Sequence, residues 1–133
     1  MFGAMEISSS ALTAMRTRMD AIASNIANME TTRNAAGQPV PYRRKEVVLA
    51  QGAKPGEPAG VRVAAVVEDM SPFRQVYAPG HPDADASGNV LYPNVDLNRE
   101  MVSAVIAMRA YEANVAAFEA SRTMVTQALR LIG

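Results

Sequence analysis

All eight prolines of this chain fall between Pro39 and Pro93, and neither flank contains one. Proline inside a helix removes a hydrogen bond and clashes with the preceding turn. The two flanks are therefore free to form long helices, and the middle is not. At 133 residues the chain suits one folded unit or two thin layers rather than two full domains. Alanine fills 24 positions, phenylalanine three and tryptophan none. Large aromatics dominate compact cores, so this composition favours close helix–helix contact instead. The pattern predicts a mainly α fold with a small β-rich insertion. Residues 1–33 hold an N-terminal helix, 34–94 a central extended and β-hairpin region, and 95–133 a C-terminal helix.

In the first flank Leu12, Met15, Met19, Ile22, Ile26 and Met29 recur at spacings of three and four, an a/d heptad seam. Ser8, Ser9 and Ser10 are candidate N-caps, which predicts a helix from about Ser8 to about Met29. In the last flank Asp96 or Asn98 can cap a second helix. Its seam runs through Met101, Val105, Met108, Tyr111, Val115 and Phe118, then Val125, Leu129 and Ile132, with Arg122 where an apolar residue is expected. A helix of about 34 residues spans roughly 50 Å. The two seams fit either an antiparallel hairpin or a coiled-coil layer shared between subunits. Methionine adapts to varied packing, which inclines the reading to the shared seam. Membrane-surface binding is a third reading of amphipathic ends, weakened by balanced charge and the lack of Trp or a Lys-rich face.

Asn25 and Asn28 stand beside the first seam in "IASNIANMETTRN". Asparagine is a mediocre helix former, because its amide competes for backbone hydrogen bonds. Two readings stay open for each: a two-way hydrogen-bonding contact with a neighbouring subunit, or punctuation of the helix end.

In the centre, Tyr42–Ala50 and Val61–Asp69 look like strands joined by the turn-rich "QGAKPGEPAG", and "PFRQVYAPG" adds a third short strand. "RRK" at Arg43–Lys45 reads as a solvated strand face. In "GHPDADASGNVLYPN", His81, Asp83 and Asp85 suggest a metal loop. The calcium pattern also needs a third oxygen ligand and a distal glutamate, where this chain has Ser87 and Asn94. A polar loop with Asx-turns is the simpler expectation. No nucleophile–base pair, phosphate loop or carboxylate dyad appears, so the chain reads as a non-enzyme without cofactor, catalytic residue or metal. Net charge is zero and cysteine is absent, which gives no basic field for nucleic acid and no thiolate site. No apolar run is long enough to insert in a membrane. The N-terminus lacks the basic and apolar regions of a cleaved secretory signal.

Four segments together carry a resemblance: "ALTAMRTRMDAIASNIANMETT", "PYRRKEVVL", "EDMSPFRQVYAPGHPDADASGNVLYPNVD" and "EMVSAVIAMRAYEANVAAFEASRTMVTQAL". They resemble the bacterial flagellar rod and hook axial protein family. "NIAN" is shared across that family, while "PYRRK", "YAPGHPDA" and "RAYEANV" point to its rod members. One departure falls at Glu30, where the family carries a turn-favouring amide. The resemblance implies a structural subunit of the proximal rod of the basal body, serving motility. It implies paired terminal helices in a coiled-coil layer around the export channel. Partners would be other rod proteins, copies of the chain, and the base of the rod at the membrane ring and export gate. It further implies a periplasmic location reached by type III export without signal cleavage. The subunit-interface residues expected on this reading are the seam positions named above, together with Asn25 and Asn28. The alternatives are a secreted amphipathic effector, or a metal-binding protein using His81, Asp83 and Asp85.

Overall fold

The computed structural model describes residues 2–132. Helix α1 (Phe2–Ala27) and helix α2 (Leu97–Ile132) enclose four strands, β1 (Lys45–Gln51), β2 (Val61–Glu68), β3 (Arg74–Tyr77) and β4 (Asn89–Tyr92). Helix α1 begins before the serine run, which caps nothing. Ser10 Oγ donates to Ile7 O at 2.7 Å and Thr13 Oγ1 to Ser9 O at 3.2 Å, so these hydroxyls fold back on the preceding turn. Ser10 Oγ also accepts the first amide of β2, from Val61, at 3.1 Å. The serines are interior helix positions, and Ser10 docks a strand. At the other end the main-chain N and the Nδ2 of Asn28 both donate to Ser24 O, at 3.1 and 2.9 Å, which closes the last turn. No non-glycine residue among those described has positive φ, so the exit is not left-handed.

Strands β1 and β2 pair antiparallel from Lys45↔Glu68 to Gln51↔Val61, with a register shift between Val48 and Leu49. Their loop closes through Gly52 N to Gly60 O at 2.9 Å. Gly52 has φ +86°, and a Cβ there would lie 2.0 Å from Glu57 O, so only glycine fits. The second hairpin pairs Arg74↔Tyr92 through Tyr77↔Asn89. Strand β4 lies in the stretch read above as polar loop. That reading holds for Asp85, whose Oδ1 accepts Ser87 N and Asn89 N at 2.9 Å each. It misses "NVLY", a run too short to show a period, where Val90 alone is buried.

Asp96 caps α2, its Oδ1 accepting Asn98 N at 2.9 Å and Arg99 N at 3.2 Å. The 36 residues of α2 extend about 54 Å. The last turn of α1 meets the first turn of α2 through Asn25 and Glu100. Because the helices pack together and that contact joins opposite ends, they run antiparallel. The β1–β2 hairpin lies against α1. The buried apolar side chains are Ala14, Met15, Ile22, Val47, Val90 and Ala107. This core is thin, and among the described residues no aromatic side chain is fully buried in it.

Candidate functional site

Where α1, β1 and α2 converge, the side chain of Asn25 is fully buried. Its Oδ1 accepts Lys45 N at 2.8 Å and the Tyr42 hydroxyl at 3.0 Å. Its Nδ2 donates to Lys45 O at 2.9 Å and to Glu100 Oε2 at 3.1 Å. Both lone pairs and both protons of the amide are thus satisfied within the chain. The phenol hydrogen of Tyr42 goes to Asn25, so Ser24 Oγ is the donor in its 3.1 Å contact with Tyr42 Oη. One asparagine thereby pairs like a strand neighbour with Lys45 and ties the helix to the start of the second.

Glu100 is fully buried, and its other oxygen accepts Arg44 Nε at 2.5 Å. Arg44 also reaches Asp69 Oδ2 at 3.4 Å and Glu46 Oε2 at 3.6 Å. Burial opposes the Arg44 charge, but the hydrogen bond and charge of Glu100, joined by Glu46 and Asp69, outweigh it and raise its pKa. The hydroxyl and main-chain N–H of Ser71, then Arg44, hold the Asp69 carboxyl below its ordinary value against a smaller opposing burial effect. The expectation that "RRK" is a solvated face is corrected here. Successive strand residues point to opposite sides, so Arg44 enters the junction while Lys45 is exposed. Arg43 stacks on Phe73, 4.2 Å from the ring centroid, and donates to Asp69 O at 3.1 Å. Asn94 closes the arrangement. Its Oδ1 accepts Arg44 N and its Nδ2 donates to Asp69 O, both at 2.9 Å.

Of the seam residues on α1, Met15 and Ile22 are buried, and Leu12, Met19 and Ile26 are half-buried, as is Met29 in the turn that follows the helix. On α2 the face toward α1 centres on Glu100, Ala107 and Ser121, which are buried. Tyr111, Phe118 and Val125 continue that line, with Val115 beside it, and are half-buried, whereas Met101, Val105 and Met108 lie exposed on an adjoining stripe and Leu129 is exposed near the end of α2. Asn28 is half-buried and takes Thr31 Oγ1 on its Oδ1 at 3.2 Å. In the β3–β4 loop Asp83 is occupied by Arg33 at 2.6 Å and Thr32 at 2.8 Å. Those two hydrogen bonds hold its carboxyl below the ordinary range. His81 Nδ1 accepts Asp83 N at 3.0 Å, and no group of three or more His, Asp or Glu among the described residues is placed to share a metal ion.

A family model described as "Flagella basal body rod protein" matches residues 5–33, and one described as "Flagellar basal body rod FlgEFG protein C-terminal" matches residues 86–131. The flagellar basal-body rod protein FlgC of Bacillus subtilis (strain 168) is 45% identical over 145 residues, covering 98% of this chain and 97% of the relative. This chain belongs to the FlgC family. FlgC of Salmonella typhimurium (strain LT2) is 42% identical, with 95% and 93% covered, and that of Borreliella burgdorferi is 37% identical, with 99% and 97% covered. FlgC proteins are structural rather than catalytic, and the chain is accordingly a rod subunit of the flagellar basal body that assembles with other basal-body proteins. The rod-family matches take in Asn25 and Glu100 but not Tyr42 or Arg44. Sequence reasoning missed Tyr42 and Glu100 as partners of Asn25, and Arg44 as the partner of Glu100. A carboxylate in the first turn of a helix reads as a complement to the helix dipole, and nothing local marks it as buried.

Proposed function

We propose that this FlgC-family chain is a subunit of the proximal rod, the axial shaft around the export channel. Its terminal helices pack against copies of itself and against other rod proteins, down to the base at the membrane ring and export gate. It works in the periplasm and arrives by type III export with its N-terminus uncleaved. The observation that carries the reading is the surface left open. The molecule exposes 8721 Å², against about 6,800 Å² for a compact monomer of its mass. The excess is more than twice the roughly 800 Å² that one partner contributes to a standard interface. Much of it is apolar surface on α2, where Met101, Val102, Val105, Ile106, Met108 and Leu129 are exposed. Exposed apolar side chains grouped in this way mark a surface that packing covers.

The exposed Val105 allows a clean test. A carboxylate there meets water in the free subunit, so Val105→Asp should fold as the parent does. On a covered face the same carboxylate is desolvated without a partner, which is strongly unfavourable. Expected are parental helix content and unfolding midpoint, with basal bodies absent and cells non-motile. Normal swimming by this variant would remove the shared-face reading. Mass spectrometry of basal-body-bound protein should find its N-terminal peptide intact, and a trimmed end would refute uncleaved export.

A further inference from the structure

Two methionines on the open stripe of α2 have a chemistry that their packing role does not use. Met101 and Met108 are seven residues apart, hence on one side of the helix, and are 56% and 48% exposed. Val105 lies between them and Leu97 one turn before, both exposed. Met15, by contrast, is 8% exposed in the core, while Met70 is 76% exposed in the segment after β2, outside either helix. We propose that Met101 and Met108 are an oxidation site at which a two-electron oxidant, such as hydrogen peroxide, makes the unassembled subunit incompetent to assemble. This rests on the reading that α2 is covered in the rod.

In the reaction a thioether lone pair attacks one peroxide oxygen. The S–O bond forms, the O–O bond breaks, sulfur loses two electrons to the peroxide, and water departs once the protons redistribute. A flexible apolar side chain thereby becomes a polar sulfoxide. In the free subunit the new S–O dipole faces water and the fold is undisturbed. On a covered stripe beside Val105 and Leu97 it is buried without an assured donor, which is unfavourable. Assembly itself closes the window, because a covered sulfur no longer meets the oxidant. The modification therefore discriminates between subunits awaiting assembly and subunits already in place.

Peptide mass spectrometry on the purified full chain treated with hydrogen peroxide tests the accessibility. Met101 and Met108 should gain oxygen several-fold faster than Met15, and equal rates would overturn the proposal. For the consequence, Met101→Gln with Met108→Gln supplies a polar side chain of similar length without oxidant. Basal-body yield should fall at least about tenfold, the equivalent of one unpaired polar group at a covered face. Met101→Leu with Met108→Leu, and separately Met70→Gln, should keep parental yield. Under a sublethal peroxide pulse before rod formation, the double-leucine strain should keep building basal bodies while its parent stops; equal loss in both places the damage elsewhere and refutes the site. Val105→Asp separates the two levels of failure. If it blocks assembly while the double-glutamine variant assembles, only the oxidation proposal falls. If both assemble, the covered face itself is wrong.

Discussion

Replacing Asn25 by alanine should destabilise the free subunit, whatever it does to the rod. The substitution removes four hydrogen bonds at once, to Lys45 N, Lys45 O, the Tyr42 hydroxyl and Glu100 Oε2. Tyr42 keeps its contact with Ser24. The two Lys45 main-chain groups and the Glu100 oxygen lose their asparagine partner. Each unsatisfied buried group costs about 1–3 kcal/mol. Water entering the vacated space recovers part, so the total should be about 3–5 kcal/mol, a large share of the 5–15 kcal/mol typical of a whole domain. Ser24→Ala is the matched control. It removes a single part-buried hydrogen bond and should cost about 1 kcal/mol. Urea unfolding of the purified chain, followed by far-UV ellipticity near neutral pH, reads both. With a slope of about 1–3 kcal/mol per molar, Asn25→Ala should lower the midpoint by more than about 1 M. A midpoint indistinguishable from that of Ser24→Ala refutes the junction as the reason for this asparagine. If such a variant were also non-motile, Asn25 would return to contact with a neighbour.

Glu100→Ala leaves Arg44 buried without its main partner and should cost about 3–5 kcal/mol, while Glu100→Leu combined with Arg44→Met should recover most of that loss in the same urea assay. Acid should loosen the fold through Asp69 and Asp83. Their carboxyls are depressed in the folded chain, so below the ordinary carboxylate pKa of about 4 the unfolded chain binds more protons, and their contribution, complete above that value, is lost as pH falls through the folded pKa. Thermal midpoints taken across that range should fall less steeply for Asp83→Asn than for the parent. In the β1–β2 loop, an equal-length Gly/Ser replacement of the exposed tip Lys54–Ala59 should leave motility near normal, since surface loops accept change at small entropic cost. Gly52→Ala should lower the melting temperature clearly, because its Cβ meets the Glu57 carbonyl.

The proline boundary made the architecture legible, because one steric rule separates two helical flanks from a centre that cannot be helical. The valine-rich runs and the glycine-rich spacer made the first hairpin legible too. What Asn25 does was not legible. Its partners lie 17, 20 and 75 positions along the chain, and only the assembled tertiary structure brings them within reach. Arg44 was hidden for a related reason, since three adjacent charges look alike until the strand assigns alternate residues to opposite faces.

Helix α2 teaches something different about periodicity. A hydropathy seam is ordinarily taken to mark the inward face, yet the line buried against α1 contains Glu100, Ala107 and Ser121, while Met101, Val105 and Met108 remain outside. The inward line combines small residues for close approach with the half-buried Tyr111, Phe118 and Val125, and one ion pair for register. In the first turns of the helix the larger apolar side chains are displaced to the flank. On the reading proposed above, selection for packing on more than one side writes apolar residues onto more than one face of the helix, and a periodicity search then reports the sum of all those contacts. The period of the pattern is the same whether the covering surface is the same chain or the next one. Only the polar residues break the tie. Glu100 is tolerated inside because Arg44 meets it, and a charge such as Arg122, exposed one position beyond the buried Ser121, marks where the internal line steps aside from the expected seam.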